Sequence, residues 1–265
     1  MAKRALCVGI NDYPGTNNDL SGCVNDAKDW KAALQARGYT VTTLFDKAAT
    51  RKGVLAALNA LISGAKKGDS LVFTFSGHGS WIPDANGDES DERDEMLCPY
   101  DIGKNQYLLD DDLAEAFGRK PEGVKLYFIS DSCHSGSVSK FAPPLFPKAA
   151  RLQPRPRFLP PSAFLKGKAL KRLQLVAAAA NGKTTKQTYP ALLLAGCKDI
   201  ELSYDAYFNG RPNGAFTFVA LRELKKKPTT PRKWMTRVRA KLPTAMYPQS
   251  PQLYGATKAK DGAMP

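Results

Sequence analysis

Residues 125–133 read Lys-Leu-Tyr-Phe-Ile-Ser-Asp-Ser-Cys, and this stretch decides the fold of the 265-residue chain. Its apolar part predicts a buried strand, and the small polar residues after it predict the end of that strand. A second apolar run, Leu71–Phe75, ends in the same way, in Ser-Gly-His-Gly at 76–79. Because ligands bind where the carboxyl ends of parallel strands meet, we expect Cys133 and His78 at one such edge, with Cys133 on an exposed turn.

Strands and helices alternate through the first third of the chain. We predict strands over 4–10, 39–45 and 69–75, with helices over 25–37 and 50–65 between them. This β-α-β-α-β order implies an α/β fold, a mostly parallel central sheet with helices on both faces. Later elements are a helix over 110–117, ordered segments over 173–179 and 192–195, and helices over 215–227 and 231–242.

The formal net charge of +14 is unevenly distributed along the chain. Residues 1–131 carry 15 Lys and Arg against 20 Asp and Glu, whereas residues 132–265 carry 24 against 5. A basic half is typical of nucleic-acid binding. Here the basic residues are scattered among prolines and alanines, without an aromatic stripe or an RNA-binding motif. We therefore favour a solvated basic surface over a nucleic-acid interface.

The cysteines and the N-terminal residues indicate a cytoplasmic protein. The five cysteines are odd in number and far apart, and no CxxC pair suggests zinc. At least one thiol is then free in a monomer, which fits a reducing compartment. No apolar stretch reaches the length of a membrane span, and the first residues lack the apolar region and cleavage site of a signal peptide.

Cys133 has the surroundings of a nucleophile rather than those of a packed core cysteine. Asp131 and His134 beside it make a poor core environment, in contrast to Cys7 in the middle of an apolar strand. A thiol attacks as thiolate, and a nearby imidazole can hold it in that form. The chain has two histidines, and His134 is adjacent to Cys133 in sequence and therefore points elsewhere. His78 is the predicted base, against the alternative of an exposed loop histidine.

The glycines on either side of His78 allow a substrate backbone to approach closely. The same turn leaves the backbone N–H of Gly79 free to bind an oxyanion. The backbone N–H of Cys133 is the second predicted donor, because oxyanion holes are built from such converging N–H groups.

Several segments of the chain resemble the metacaspases, the caspase-like cysteine peptidases of plants, fungi, protists and bacteria. They occur in family order over most of the chain, and their combination is specific although each motif alone is weak. The chain is most similar to a compact bacterial form without a prodomain, called an orthocaspase. The matching segments are 5–13 (ALCVGINDY), 20–26 (LSGCVND), 75–79 (FSGHG), 94–101 (DEMLCPYD), 131–136 (DSCHSG), 195–199 (AGCKD), 214–217 (GAFT) and 247–252 (YPQSPQ).

The resemblance implies a caspase-like fold in a single domain of residues 1–265. A catalytic region like the caspase large subunit would span 1–137, and a region like the small subunit would span 173–265. Between them, 138–172 carries nine Lys and Arg, seven prolines and no acid. We predict that this basic segment is an exposed, flexible linker.

The resemblance also implies cleavage after Arg or Lys. Carboxylates are needed in a pocket for a basic side chain, because a buried guanidinium must be paired. One helical turn separates Cys23 from Asp26, so both can face one cleft. The family builds this pocket from residues that correspond here to Cys23, Asp26, Ser76 and Asp131.

Calcium is a further implication of the resemblance. In calcium-dependent members, ligands fall at positions that match Asp94, Asp110 and Asp111, and another acid follows the catalytic cysteine. This chain has no acid between Asp131 and Asp199. The acidic segment 83–98, predicted as a loop, is not an EF-hand, because its glycine stands at the wrong position. Ca²⁺ is therefore expected as a possible activator, with a solvated acidic loop as the alternative.

The basic linker offers a substrate for the enzyme itself. We hypothesise that the chain cuts itself within 138–172. Arg155 is a poor site because Pro156 follows it and lacks an N–H. The candidate sites are Lys148, Arg151 and Arg157, and an uncut surface loop is the alternative.

Two other functions compete with a peptidase of this type. One is a different Arg-specific cysteine peptidase of the same fold, similar to clostripain or gingipain. The other is a catalytically silent, caspase-like interaction protein that binds anionic partners through its basic half. The prediction retained is a cysteine endopeptidase with a Cys133/His78 dyad. Its partners would be protein or peptide substrates with Arg or Lys at P1, it would need no cofactor for the chemistry, and it would be a monomer.

Overall fold

The computed structural model describes residues 1–83, 93–133, 153–168, 170–171 and 190–265. The predicted ordered segment 173–179 lies outside these residues. The strands are β1 Lys3–Gly9, β2 Thr40–Phe45, β3 Ser70–Ser76, β4 Gly79–Pro83, β5 Arg93–Leu97, β6 Leu108–Leu109, β7 Lys125–Asp131, β8 Arg155–Pro156, β9 Leu192–Ala195, β10 Tyr204–Phe208, β11 Arg211–Gly214 and β12 Gln252–Tyr254.

The five predicted helices begin and end within a few residues of their predicted bounds, which confirms the helical periodicity, whereas the short helix at 257–260 was not predicted. Thr50 caps the second helix as its sequence predicts, because its Oγ1 accepts a hydrogen bond from Gly53 N at 3.1 Å. Among the described residues, no helix is long and apolar enough to cross a bilayer. The helices are α1 Cys23–Gln35, α2 Arg51–Ile62, α3 Asp110–Gly118, α4 Ala215–Leu224, α5 Pro231–Arg239 and α6 Thr257–Lys260.

The central sheet has the strand order β12-β9-β7-β3-β1-β2. All pairs are parallel except β12 with β9. The predicted α/β fold with a mostly parallel sheet is therefore confirmed. Parallel strands are buried on both faces, which is why each central strand reads as a nearly continuous apolar run.

The two faces of the sheet carry separate hydrophobic cores. Leu6 and Val8 of β1 point into one core together with residues of α2 and α3, while Ala5 and Cys7 point into the other with residues of α1, α4 and α5. This alternation follows from the two-residue period of a strand. Helices therefore cover both faces, as predicted.

The carboxyl ends of the central strands lie level with one another. Ser76 at the end of β3 pairs with Gly9 of β1 on one side and with Asp131 of β7 on the other. The polar residues that follow β3 and β7 therefore emerge side by side. This edge of the sheet is where Cys133 and His78 were expected.

Two small antiparallel sheets complete the described structure. One has the order β4-β5-β6 and the other has the order β11-β10-β8. Two predictions are wrong here. Part of the predicted acidic loop, 93–97, is strand β5. Part of the predicted exposed linker, 153–168, contributes Phe158, Leu159, Phe164 and Leu165 to the buried core.

Candidate active site

Cys133 lies two residues after the end of β7 and is fully buried. The prediction of an exposed thiol is wrong, because other parts of the chain enclose Cys133, whose backbone N–H donates to Arg157 O at 3.3 Å. The thiol contacts the backbone of Ser203, whose N–H donates to Sγ at 2.6 Å and whose carbonyl oxygen lies 3.4 Å from Sγ. The position of Cys133 after a strand was predicted correctly. The contact of Arg157 with this end of the sheet was not predicted.

His78 is held in one tautomer by the backbone. Its Nε2 lies 2.7 Å from the carbonyl oxygen of Asn18, and a carbonyl can only accept, so Nε2 carries the proton. Nδ1 then bears a lone pair, and it is buried without a hydrogen-bond partner among the described residues. Burial lowers the pKa of His78 to about 4, so the ring is a neutral base at physiological pH.

The loop around His78 is fixed by Tyr13. The phenolic oxygen of Tyr13 accepts a hydrogen bond from His78 N at 2.7 Å, and the two rings lie 4.8 Å apart. No sequence pattern predicted a group that orients His78. Asn18 acts through its main-chain carbonyl, which every residue type possesses, so no side-chain pattern could have identified it.

The two predicted oxyanion donors converge on one oxygen atom. The carbonyl oxygen of Arg157 accepts from Gly79 N at 3.0 Å and from Cys133 N at 3.3 Å. A side chain at Gly79 would place Cβ 2.0 Å from the carbonyl oxygen of Cys133, so this approach requires glycine. The arrangement presents two N–H groups to a carbonyl that follows an arginine Cα.

The side chain of Arg157 occupies a buried pocket of carboxylates. Its Nη2 lies 2.6 Å from Asp26 and 2.9 Å from Asp205, and its Nη1 lies 3.2 Å from Asp131. Nη1 also donates to the carbonyl oxygen of Asp131 at 3.1 Å. Burial acts to lower the pKa of the guanidinium, but the carboxylates, Asp131 first, hold it well above its usual value. Arg157 is therefore charged in the pocket.

Each carboxylate is oriented by further hydrogen bonds. Asp131 accepts from Thr217 N at 2.9 Å, and Asp26 accepts from Gly214 N at 3.0 Å. Asp205 accepts from the backbone N–H groups of Ser21 and Gly22. These donors stabilise the ionised carboxylates and hold them in position around the guanidinium of Arg157.

Asp205 was missed by sequence analysis. It lies far from Asp26 and Asp131 along the chain, and β10 brings it beside them. One signal was available, since Asp205 is one of five acids among residues 132–265. An acid in so basic a half is a candidate for a specific ion pair.

The other two predicted pocket residues, Cys23 and Ser76, are both buried. Cys23 is the first residue of α1, and burial raises the pKa of its thiol well above the usual value while Arg157 opposes this shift. Ser76 is buried at the end of β3, level with Asp131. The structure thus brings Cys23, Asp26 and Asp131 together around Arg157, with Ser76 on the strand beside Asp131.

Gly214 leaves the space that the guanidinium fills. A Cβ at this position would lie 2.2 Å from Asp131 Oδ2 and 2.5 Å from Arg157 Nη1. The pocket therefore needs glycine here as well as carboxylates.

Hydrogen bonds hold the main chain of residues 155–159 on both sides of Arg157. Upstream, β8 pairs with β10, and Arg157 N donates to Ser203 O at 2.8 Å. Downstream, Leu159 N donates to Gly79 O at 2.9 Å, and Ser80 Oγ donates to Leu159 O at 2.6 Å. The segment therefore lies in the cleft as a bound peptide would.

The three predicted calcium ligands do not form a metal site by themselves. Asp94 of β5 and Asp110 of α3 are buried and contact other protein groups, whereas Asp111 is exposed. In the described part of the chain, no group of three His, Cys, Asp or Glu side chains lies close enough to bind a metal ion. No step of the chemistry can be derived through Ca²⁺ from these residues.

Of the three predicted self-cleavage positions, Arg157 alone lies within the described residues, where it occupies the carboxylate pocket. Lys148 and Arg151 lie outside the described residues.

Comparison with known proteins identifies the group to which these features belong. Residues 3–142 match the family described as metacaspase, peptidase C14 domain. Metacaspase-1 of Cryptococcus neoformans is 33% identical over an alignment of 266 positions, and the match covers 85% of this chain and 57% of that protein. Metacaspase-1B of Aspergillus fumigatus is 32% identical, and the match covers 95% of this chain and 69% of that protein. The chain thus spans a little over half the length of the Cryptococcus relative.

Two solved structures are similar to this chain. The crystal structure of a Geobacter sulfurreducens protein has a TM-score of 0.74 and 30% sequence identity, covering 96% of this chain and 93% of that one. Caspase-1 of Spodoptera frugiperda has a TM-score of 0.59 at 12% identity, covering 96% of this chain and 86% of that one. The caspase likeness concerns the fold alone, and it confirms the predicted caspase-like fold.

The protonation of His78 can be measured directly. In a Cys133→Ala chain, we expect the imidazole to stay neutral with the proton on Nε2 and to titrate with a pKa of about 4, because burial disfavours the imidazolium. ¹⁵N NMR of histidine-labelled protein reports both properties, and His134→Asn assigns the signals. A His78 titration near the ordinary pKa of about 6.5 would contradict this geometry.

Proposed function

The chain belongs to the metacaspase family, and we propose that it is a cysteine endopeptidase that cleaves the peptide bond after arginine. The observation that carries this proposal is Arg157. Its guanidinium pairs with three buried carboxylates, while its carbonyl oxygen accepts from Gly79 N and Cys133 N. A P1 arginine would need both sets of contacts at once.

The proposed chemistry uses His78 and Cys133. Nδ1 of His78 takes the thiol proton, and Sγ attacks the carbonyl carbon of the P1 residue. The oxygen gains negative charge where Gly79 N and Cys133 N donate to it. His78 then gives the proton to the leaving amine, and the carbon–nitrogen bond breaks. Water attacks the thioester, with His78 as its base, and the P1 carboxylate leaves.

The geometry of the pocket favours arginine over lysine. The two terminal nitrogens of Arg157 bind different carboxylates, Nη1 that of Asp131 and Nη2 those of Asp26 and Asp205. A guanidinium spans these positions because it is a planar fork, whereas one ammonium group cannot occupy both. Lysine should therefore be accepted more weakly.

We also propose that the chain cuts itself after Arg157, in preference to Lys148 and Arg151. The position of Arg157 supports this choice, and the following residue, Phe158, has the N–H that Pro156 lacks after Arg155. A self-cleavage site must lie in the cleft, and Arg157 does so, with its carbonyl oxygen bonded to Gly79 N and Cys133 N.

The proposal also covers calcium, location, oligomeric state and partners. Activation by Ca²⁺ through Asp94, Asp110 and Asp111 remains a prediction from the resemblance, and equal reporter rates with Ca²⁺ and with chelator would contradict it. All five cysteines are free. This fits the proposed cytoplasmic location and a monomer that acts on proteins or peptides. An inactive interaction protein would instead show salt-sensitive binding to polyanions without any cleavage.

Arg157→Ala should activate the enzyme toward added peptides. The variant removes the paired guanidinium with which a substrate must compete, so we expect kcat/KM for an Arg reporter to rise by about tenfold or more. Arg155→Ala is the matched control, because its side chain is exposed and bonds only to Asp19 O among the described residues. Equal reporter rates for both variants would contradict occupation of the cleft by Arg157.

Fragment masses and reporter hydrolysis test the chemistry. We expect the wild-type chain to yield a fragment that ends at Arg157, and Arg reporters to be cut faster than Lys reporters, with Asp reporters uncut. Cys133→Ala and His78→Ala should each lower the rate by roughly 10³-fold or more. Full activity in either variant, or cleavage at Lys148 or Arg151 instead, would overturn the corresponding part of the proposal.

The binding of a P1 arginine should depend on pH through Asp26. Burial raises the pKa of this carboxyl to about 7 against the opposing effect of Arg157. The ionised form binds a guanidinium, and the lowering effect of Arg157 is lost when this residue leaves the pocket, so kcat/KM for an Arg reporter should fall as pH drops toward and below about 7. Asp26→Asn in an Arg157→Ala chain should be slow and lack this dependence. Asp29→Asn in the same helix should retain it, and a wild-type profile that is flat through this range would be a contrary result.

A further inference from the structure

Cleavage after Arg157 would not separate the two ends it creates. The downstream residues Phe158, Leu159, Phe164 and Leu165 are between 0% and 7% exposed and belong to the main hydrophobic core. Two hydrogen bonds also hold Leu159 in place: its N–H donates to Gly79 O, and its carbonyl oxygen accepts from Ser80 Oγ. The new amino group of Phe158 would therefore stay next to the carbonyl it left.

The upstream end would be held equally firmly. Arg157 keeps its contacts with the three carboxylates after the bond breaks, and its N–H still donates to Ser203 O. Its carbonyl oxygen stays with Gly79 N and Cys133 N. Both products of the cut thus remain in place around the thiol.

We propose that the enzyme is also a peptide ligase on its own chain, cutting and re-forming the Arg157–Phe158 bond so that residues 155–159 act as a built-in reversible inhibitor. This inference rests on the proposed function. It differs from simple self-processing because the cut by itself does not open the cleft. An opening requires that residues 155–157 leave the pocket.

The ligation step is the reverse of acylation. The Phe158 amine attacks the thioester carbon between Arg157 and Cys133, the new carbon–nitrogen bond forms, and the thiolate leaves. His78 takes the proton that the amine loses. Well-oriented groups react with effective concentrations on the order of 10⁵ M or more, so a held amine competes well with water. If water reacts first, the Arg157 carboxylate can re-form the thioester with loss of one oxygen as water.

Oxygen exchange in the uncut chain tests this proposal. The wild-type protein is incubated in H₂¹⁸O, quenched by denaturation, transferred to ordinary water and digested with chymotrypsin. The peptide that ends at Phe158 contains the re-formed bond. We expect ¹⁸O at the Arg157 carbonyl in this peptide, because hydrolysis introduces it and ligation retains it. Cys133→Ala should remain unlabelled.

Two further measurements test the ligation: the pH dependence of labelling, and the effect of removing a hydrogen bond that holds Leu159. An α-amino group has a pKa of about 8, and its protonated form cannot attack, so labelling of the intact bond should fall as pH drops below about 8. Ser80→Ala removes the bond to Leu159 O and should raise the cut fraction severalfold. Thr236→Ala, which removes an exposed hydroxyl in α5, should leave it unchanged.

The outcomes separate this inference from the proposed function. Because water hydrolyses a fraction of the thioesters in each round, ¹⁸O accumulates over repeated rounds of cutting and ligation, so an intact chain without ¹⁸O after prolonged incubation overturns the ligase activity, whether or not cut chain accumulates. If Arg reporters are still hydrolysed in that case, the peptidase proposal stands alone. Absence of both labelling and reporter hydrolysis would overturn both.

Discussion

The ion-pair cluster of Arg157 with Asp26, Asp131 and Asp205 is the interaction on which the rest of the site depends. Three carboxylates buried side by side repel one another and lose their hydration, and each change raises the free energy of the ionised forms. A guanidinium between them offsets both costs, because it supplies charge and N–H donors to all three. The pocket therefore binds a cation, which in this structure is the guanidinium of Arg157 from the same chain.

The cluster also ties separate parts of the fold together. Asp26 comes from α1, Asp131 from the end of β7 and Asp205 from β10. One residue, Arg157, touches all three elements with its side chain and the Gly79 and Cys133 N–H groups with its carbonyl oxygen. The carboxylates and the two oxyanion donors are therefore as far apart as the guanidinium and the carbonyl oxygen of one arginine residue. Selection of arginine and positioning of its carbonyl follow from the same set of contacts.

Local patterns in the sequence predicted the sheet, the helices and the strand ends correctly, because the apolar period and the caps act over a few residues. The same patterns placed Cys133 on an exposed turn and residues 153–168 in a flexible linker, and both predictions were wrong. Proline and arginine are usually exposed, so a basic segment rich in proline is predicted to be a linker. Its burial depends on carboxylates far away in the chain, which no local pattern contains.

Hydrophobic periodicity and chain connectivity were sufficient to predict a mostly parallel sheet and the edge of that sheet where the thiol and the imidazole emerge. The motif resemblance added the pocket residues Cys23, Asp26, Ser76 and Asp131. The tertiary structure decided what only distant contacts can decide: that Asp205 completes the pocket, that the Asn18 carbonyl sets the tautomer of His78, and that Arg157 fills the cleft. Each of these depends on distances between atoms remote in sequence, and hydrogen bonds and ion pairs form only when such distances fall within a few ångströms.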